Sequence, residues 1–221
     1  MASIKKVKEP IKLIQLNDSK GYLISKRLLD IICSLCGLII LIPLFLIISL
    51  LIKFEDSRGS VFFKQIRVGK NGKEFNIYKF RSMVEDAEEL KAQLLEQNEI
   101  KDGPVFKMKQ DPRVTKLGRF LRKTSIDELP QLINVLKGEM SLVGPRPPLP
   151  SEVSQYTQYE RQRLSVTPGL TCYWQVSGRS KIGFEEWVRL DLKYIQERNF
   201  LIDLKLILKT VLVLLGSKDA Y

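Results

Sequence analysis

Hydrophobic residues change their spacing along this chain, and each change marks a different kind of element. From Ile31 to Ile52 they are nearly continuous, 22 residues without a charge. At about 1.5 Å per residue that is long enough to cross a bilayer core. Pro43 divides the run into pieces of about 12 and 9 residues, each too short to span alone. Basic residues flank both ends, Lys26 and Arg27 before and Lys53, Arg58, Lys64 and Arg67 after. A spanning helix normally carries its Lys/Arg excess on one side only. The expected form is therefore a re-entrant helix–break–helix over 28–53, bent at Pro43 and leaving by the face it entered. A straight span is the competing arrangement, since membrane helices tolerate proline. The late start, the length and the lack of a cleavage site after the run argue against a secretory signal.

Beyond Ser60 the period shortens. VFFKQIRVG and EFNIYKFRSM flank Asn71-Gly72, a hairpin signal. Lys79 and Arg81, two residues apart, should point to one face of the second strand. A charged surface helix is expected over Val84–Ile100, with Ala87, Leu90 and Leu94 on one side, and a short strand over Val105–Met108. Leu129, Leu132, Ile133 and Leu136 then follow the i, i+3, i+4, i+7 rule of a buried helical face, closed by Gly138. Pro130 lacks an N–H and fits only a first turn, which puts Asp127 at or beside the N-cap. A polar helix over Val153–Leu164, a short aromatic strand within PGLTCYWQVSGRS and an amphipathic helix over Phe184–Arg198 complete the soluble part. The apolar FLIDLKLILKTVLVLLG, interrupted by Lys205 and Lys209, should lie in the membrane interface or cover the domain. The chain thus reads as a basic segment over 1–27, a membrane element and an α-rich α/β domain over 54–221.

Composition narrows the chemistry. A net charge of +11 points to an anionic partner: lipid headgroups, nucleotides, phosphorylated substrates or nucleic acid. Nucleic acid would explain the charge but not the apolar run. The absence of histidine removes His-based acid/base catalysis, Ser–His–Asp triads and His-ligated zinc. Three cysteines make no disulfide framework, and Cys33 and Cys36 are read as small buried side chains of the apolar run.

The candidate chemistry gathers around Asp127 and Glu128. Adjacent acids at a helix start meet free N–H groups that suit both carboxylates and phosphates, and the dipole should help keep Asp127 charged. The structural alternative is that these acids merely cap the helix. Arg113, Lys116, Arg119, Arg122 and Lys123 run directly into the acid pair, as they would if phosphates lay between them. GPRP forms a stiff turn that holds out Arg146. Trp174, Gln175 and Arg179 have the shapes needed for a planar base and a phosphate, although Trp174 also fits a core position.

YKFRSM, DPRVTKLGRFLRKTSIDELPQLINVLKGEMSLVGPRP and PGLTCYWQVSGRS, in this order behind an apolar segment, resemble the bacterial sugar transferase family, the monotopic phosphoglycosyl transferases. The resemblance implies transfer of a sugar-1-phosphate from a UDP-sugar to polyprenyl (undecaprenyl) phosphate, with release of UMP. It implies Asp127 as a nucleophile forming a covalent phospho-sugar intermediate, Glu128 beside it, and Mg²⁺ held by both. It further implies Arg122 on the lipid phosphate and matches Arg146 to the arginine of the family's GPRP turn; Lys79, Arg81, Arg113, Gln175 and Arg179 join Arg146 as phosphate- or nucleotide-binding candidates on the reading of the residues themselves. The expected location is the cytoplasmic face of a bacterial inner membrane, in contact with its lipids, with room for a homo-oligomer. Two departures stand out: Ile42-Pro43 replaces the usual Ser-Pro at the helix break, and Cys172-Tyr173 replaces Gly-Leu after PGLT. A non-catalytic module binding anionic lipids is the alternative from another class. A metal-dependent glycosyltransferase of the usual kind would offer a DxD pair, which this chain lacks.

Overall fold

The computed structural model describes residues 14–94, 103–106, 108, 110–176 and 183–216. Its first element, α1 (Lys20–Glu55), is one helix of 36 residues that continues through Pro43. The expected break in secondary structure at that proline is absent. α1 is long and apolar enough to cross a membrane, yet its faces are arranged the reverse of a core helix. Tyr22, Lys26, Asp30 and Ser34, spaced four apart, are buried against the rest of the protein. Ile24, Leu28, Ile32, Leu35, Ile39 and Ile40 face outward. A polar stripe turned to protein and an apolar face turned out is the distribution expected in lipid. Cys36 lies on the outward side and Cys33 is half-buried, so the expectation that both are buried fails.

Strands β1 (Phe62–Val68) and β2 (Glu74–Phe80) pair antiparallel, with Phe62 opposite Phe80 and Arg67 opposite Phe75. The turn between them requires left-handed backbone at Asn71 (φ 57) and Gly72 (φ 79), residues that adopt it readily. α2 (Ala87–Leu94) starts three residues after the Val84 expected, and positions 95–100 lie outside the described residues; α3 (Lys116–Lys123) is capped by the Thr115 hydroxyl accepting from the Gly118 amide at 2.9 Å. No strand forms at residues 105, 106 and 108; Val105 instead enters the main core from irregular backbone.

The helix expected from Asp127 splits in two. A 3₁₀ turn spans Ile126–Gln131 and α4 follows over Leu132–Lys137, closed by Gly138 at φ 84. Pro130 cannot donate the bond that would make the first part α-helical. β3 (Ser141–Val143) runs parallel to β4 (Gly169–Thr171). The expected helix over Val153–Leu164 is broken into α5 (Pro150–Val153), α6 (Gln158–Arg161) and a 3₁₀ turn. Thr157 interrupts it by starting a new capping box with Glu160. α7 (Phe184–Glu197) and α8 (Phe200–Gly216) end the described chain. α8 buries Asp203 and Leu206 while Leu201, Leu208 and Leu212 face outward, so it covers the domain with one side and presents grease with the other.

The main core surrounds α7 and includes Val143, Trp187, Val188, Leu192, Tyr194 and Ile195. A second cluster joins Ile48 and Ile52 of α1 to Phe80 of β2 and Leu121 of α3. A third places Ile77 of β2 against Val135 and Met140. Both halves of α1 are therefore fastened to the same body. Near the middle, Gly37 allows α1 to approach α4, because an added Cβ would stand 3.2 Å from Leu132 Cδ1.

Candidate active site

The acid pair sits where three elements converge: the end of α3, the 3₁₀ turn and the face of β2. α3 stops at Thr124, and the chain reverses through Ser125 in the left-handed region (φ 56, ψ 18). A serine seldom adopts that conformation, and strain of this kind clusters at functional sites. Ser125 N–H donates to Arg122 O (3.1 Å) and Glu128 N–H to Ser125 O (3.2 Å), so the tight reversal holds Asp127 close behind Arg122.

Asp127 is only 6% exposed. Burial pushes its carboxyl up from 3.8 to about 6, opposed by Lys79 and Arg122 and reinforced by Glu128. The help expected from a helix start survives only as a backbone hydrogen bond that lowers the value, and burial outweighs it. The local helix is a short 3₁₀ turn, and desolvation outweighs the cations. At neutral pH the group remains mostly charged. Its neighbour is treated differently, for Glu128 Oε1 accepts from Lys79 Nζ at 2.6 Å. Asp127 makes no ion pair within 4.0 Å among the described residues. One carboxylate is neutralised by a partner and the other is left available.

The remaining candidates divide. Arg122 Nε donates to Ser82 Oγ at 2.9 Å, which fixes its stem beside Asp127. Lys79 belongs to the site through Glu128. Arg81 lies one residue past β2 and instead binds Asp56 at the end of α1, through Oδ2 (3.0 Å) and the carbonyl (2.6 Å). Arg113 is buried in a two-pronged pair with Asp111 and also donates to Ala87 O at 3.0 Å, so its guanidinium serves the chain itself. Arg146 lies over the Trp187 ring, 5.5 Å from its centre. Trp174 packs on Trp187 at 4.2 Å beside the main core, as the core reading expected. Gln175 donates to Leu170 O at 3.3 Å. Arg179 lies outside the described residues.

The model of the family described as bacterial sugar transferase matches residues 21–217. The chain belongs to that family. Among curated relatives, it is 49% identical over 201 residues to "Galactosyl transferase CpsE" of Streptococcus agalactiae serotype III, covering 89% of this chain and 44% of that protein. It is 40% identical over 201 residues to "Exopolysaccharide production protein ExoY" of Sinorhizobium fredii, covering 90% and 88%. It is 44% identical over 202 residues to "Undecaprenyl-phosphate galactose phosphotransferase" of Salmonella typhimurium, covering 89% and 41%. The chain thus spans less than half of two of these relatives and most of the third.

One residue of the site was missed by sequence reasoning. Arg67 is buried at the end of β1, where it counted only as a basic flank of the membrane segment. The signal was available in the hairpin. With Asn71-Gly72 at the turn, Phe63 pairs with Lys79 and Gln65 and Arg67 follow on the same face.

Proposed function

We propose that this protein transfers a sugar-1-phosphate from a UDP-sugar to polyprenyl phosphate, as a membrane step in assembling a bacterial polysaccharide or glycan. The observation that carries the reading is the asymmetric acid pair: Glu128 held by Lys79, and buried Asp127 unpaired beside Arg122. The names of the relatives support the same reading, since they include a galactosyl transferase and an undecaprenyl-phosphate galactose phosphotransferase.

An ionised Asp127 attacks the phosphorus that bears the sugar. A carboxylate–phosphorus bond forms, the anhydride bond to UMP breaks, and UMP departs as an anion that needs no proton donor. An oxygen of polyprenyl phosphate then attacks the same phosphorus and displaces Asp127, giving polyprenyl-diphosphate-sugar. Arg122 is suited to the incoming lipid phosphate and Arg146 to the donor, because guanidinium geometry matches phosphate oxygens. Two adjacent carboxylates are hard oxygen donors of the kind Mg²⁺ takes alongside substrate phosphates and water. Two protein carboxylates leave the remaining positions of such an ion to phosphate oxygens and water. Asp127 and Glu128 would hold it, and when bound it would offset the diphosphate's negative charge.

The nucleophile must be ionised, and its folded-state value is about 6. Covalent labelling of the protein by donor alone should fall about ten-fold per pH unit below that value and level off above it. Labelling that persists undiminished in Asp127→Asn would remove Asp127 from the role. The reaction itself is tested by a panel of UDP-sugars with polyprenyl phosphate and magnesium, scored by UMP release. A panel with no UMP-releasing member would sink the proposal.

We also favour a re-entrant α1, with the domain on the cytoplasmic face. Lys26 Nζ donates to Val143 O (2.8 Å) and Arg27 donates to Val135 O (2.7 Å) and Leu136 O (2.8 Å). Beyond Pro43, Ile48 and Ile52 pack on Phe80 and Leu121 of that same domain. A helix crossing the bilayer would carry these ends to opposite sides. Proline can bend a helix without ending it, which fits the unbroken α1. Cysteines introduced at Lys20 and Ser57 should both react with a membrane-impermeant reagent from one side of sealed vesicles. Labelling from opposite sides would establish a span.

A further inference from the structure

Four arginines are buried among the described residues: Arg67, Arg113, Arg163 and Arg198. Three of them meet a carboxylate, Arg113 on Asp111, Arg163 on Asp191 and Arg198 on Asp18. Arg67 does not. No described carboxylate lies within 4.0 Å of it. Its bonds go to neutral acceptors, Nη1 to Pro147 O at 3.1 Å and Nη2 to Gln65 Oε1 at 2.7 Å. Its Nε has no partner among the described residues. Burial and the neighbouring Arg146 draw Arg67 down to about 10, still well above neutrality, so the side chain stays charged. Buried charges in proteins are paired, and the partner of this one is not supplied by the described chain.

The surroundings say what kind of partner is missing. Arg67, Gln65 and Lys79 share one face of the hairpin, and Lys79 on that face reaches Glu128. Glu128 and Glu152 favour the charge on Arg67 without touching it, while Arg146 opposes it. Arg67 is also bonded to the carbonyl of the residue that follows Arg146, and the Val68 amide donates to Pro148 O at 2.9 Å. The end of β1 thus clamps the turn that carries Arg146. Two guanidinium groups fixed in one corner, against their mutual repulsion, make a site for an anion.

Resting on the transfer reading above, we infer that Arg67 and Arg146 form a paired-guanidinium seat for a phosphate of the nucleotide-sugar donor, with Gln65 setting the plane of Arg67. The donor is favoured over the lipid by what lies on each side. Arg146 rests on the buried Trp187 ring, and Trp174 beside it is only partly buried, which leaves part of a flat aromatic surface suited to a nucleotide. Arg122 belongs to α3, whose Phe120 is 53% exposed and suited to a lipid chain.

Arg67→Gln and Arg67→Lys, made in the full chain and reconstituted in lipid, test this. In Arg67→Gln the donor KM and the UMP inhibition constant should rise together by about ten-fold or more, as expected when a charged hydrogen-bond donor to phosphate is lost. The KM for polyprenyl phosphate should change by less than about two-fold. Arg67→Lys keeps the charge without the fork and should fall between. A purely structural Arg67 would lower yield, melting temperature and kcat but leave both nucleotide constants unchanged, and that result overturns the inference. A rise in the acceptor KM alone also overturns it, by giving the seat to the lipid phosphate. Thermal stabilisation by added UMP provides a reading independent of turnover. Arg67→Lys should lose part of it, and full retention overturns the inference even if Arg67→Gln fails to fold. A wild-type protein that releases no UMP from any UDP-sugar sinks the transfer reading instead, and UMP stabilisation still decides the seat.

Discussion

Asp127→Asn is expected to lower UMP release and covalent labelling by at least about 10⁴-fold while making the protein harder to unfold. The two effects have one cause. Burial raises the Asp127 carboxyl from 3.8 to about 6, so between those values the folded protein binds more protons than the unfolded chain. Stability therefore falls as pH rises through that window, and above pH 6 the whole cost of the buried charge is present. The amide removes that charge at nearly constant volume. A gain of about 1–3 kcal/mol at pH 7, vanishing below pH 4, is expected in denaturant titrations. An enzyme that trades stability for an activated side chain behaves in this way. In a lipid-binding module without catalysis the same change would leave the fold intact and remove no activity, so the loss of UMP release and labelling decides between the two readings.

The second large effect is expected far from the acid pair. Lys26 Nζ reaches Asp203 Oδ2 at 2.8 Å in a site where Asp203 is 1% exposed. Asp203 also accepts from the Tyr22 hydroxyl (2.9 Å) and the Tyr194 hydroxyl (2.7 Å). Lys26→Met would leave a buried carboxylate with no counter-charge, at a cost of about 3–5 kcal/mol. Adding Asp203→Asn removes the stranded charge and should restore most of that loss, a coupling readable in a double-mutant cycle. Denaturant titration of the reconstituted protein makes the measurement. A loss below about 1 kcal/mol in Lys26→Met would show that this pair does not hold α1 to the domain.

What the sequence revealed about this fold depended on how local the determinants were. The hairpin could be read because Asn71-Gly72 supplies two left-handed residues between alternating strands. The end of α4 could be read because Gly138 takes the left-handed cap. The acid pair, Arg122 and Arg146 were singled out as candidates by motif. Three determinants were not visible in the hydrophobic pattern. The 3₁₀ geometry at Asp127 arises from Pro130 together with the reversal at Ser125, and a helical period alone does not distinguish it from α. The burial that raises the Asp127 carboxyl, and the Lys79 and Arg122 charges that hold the rise in check, come from packing against other elements. Arg113 looked like part of a basic cluster, and only its pairing with Asp111 shows it serving the chain. The four-residue stripe from Tyr22 to Ser34 was legible in principle, but the apolar run drew attention to the opposite face.

That stripe also constrains how the protein is made. Lys26 is joined to a residue 177 positions later. At about 5–20 residues per second, the ribosome delivers Asp203 about 9–35 s after Lys26. Throughout that delay Lys26 lacks its carboxylate, and the Asp30 carboxylate waits as well for Ser141 and Leu142. Both need water in the meantime, which keeps the front of the nascent helix at the bilayer surface. On the re-entrant arrangement proposed above, a shallow, two-ended insertion would be the path of least desolvation during translation, before any tertiary contact exists to enforce it.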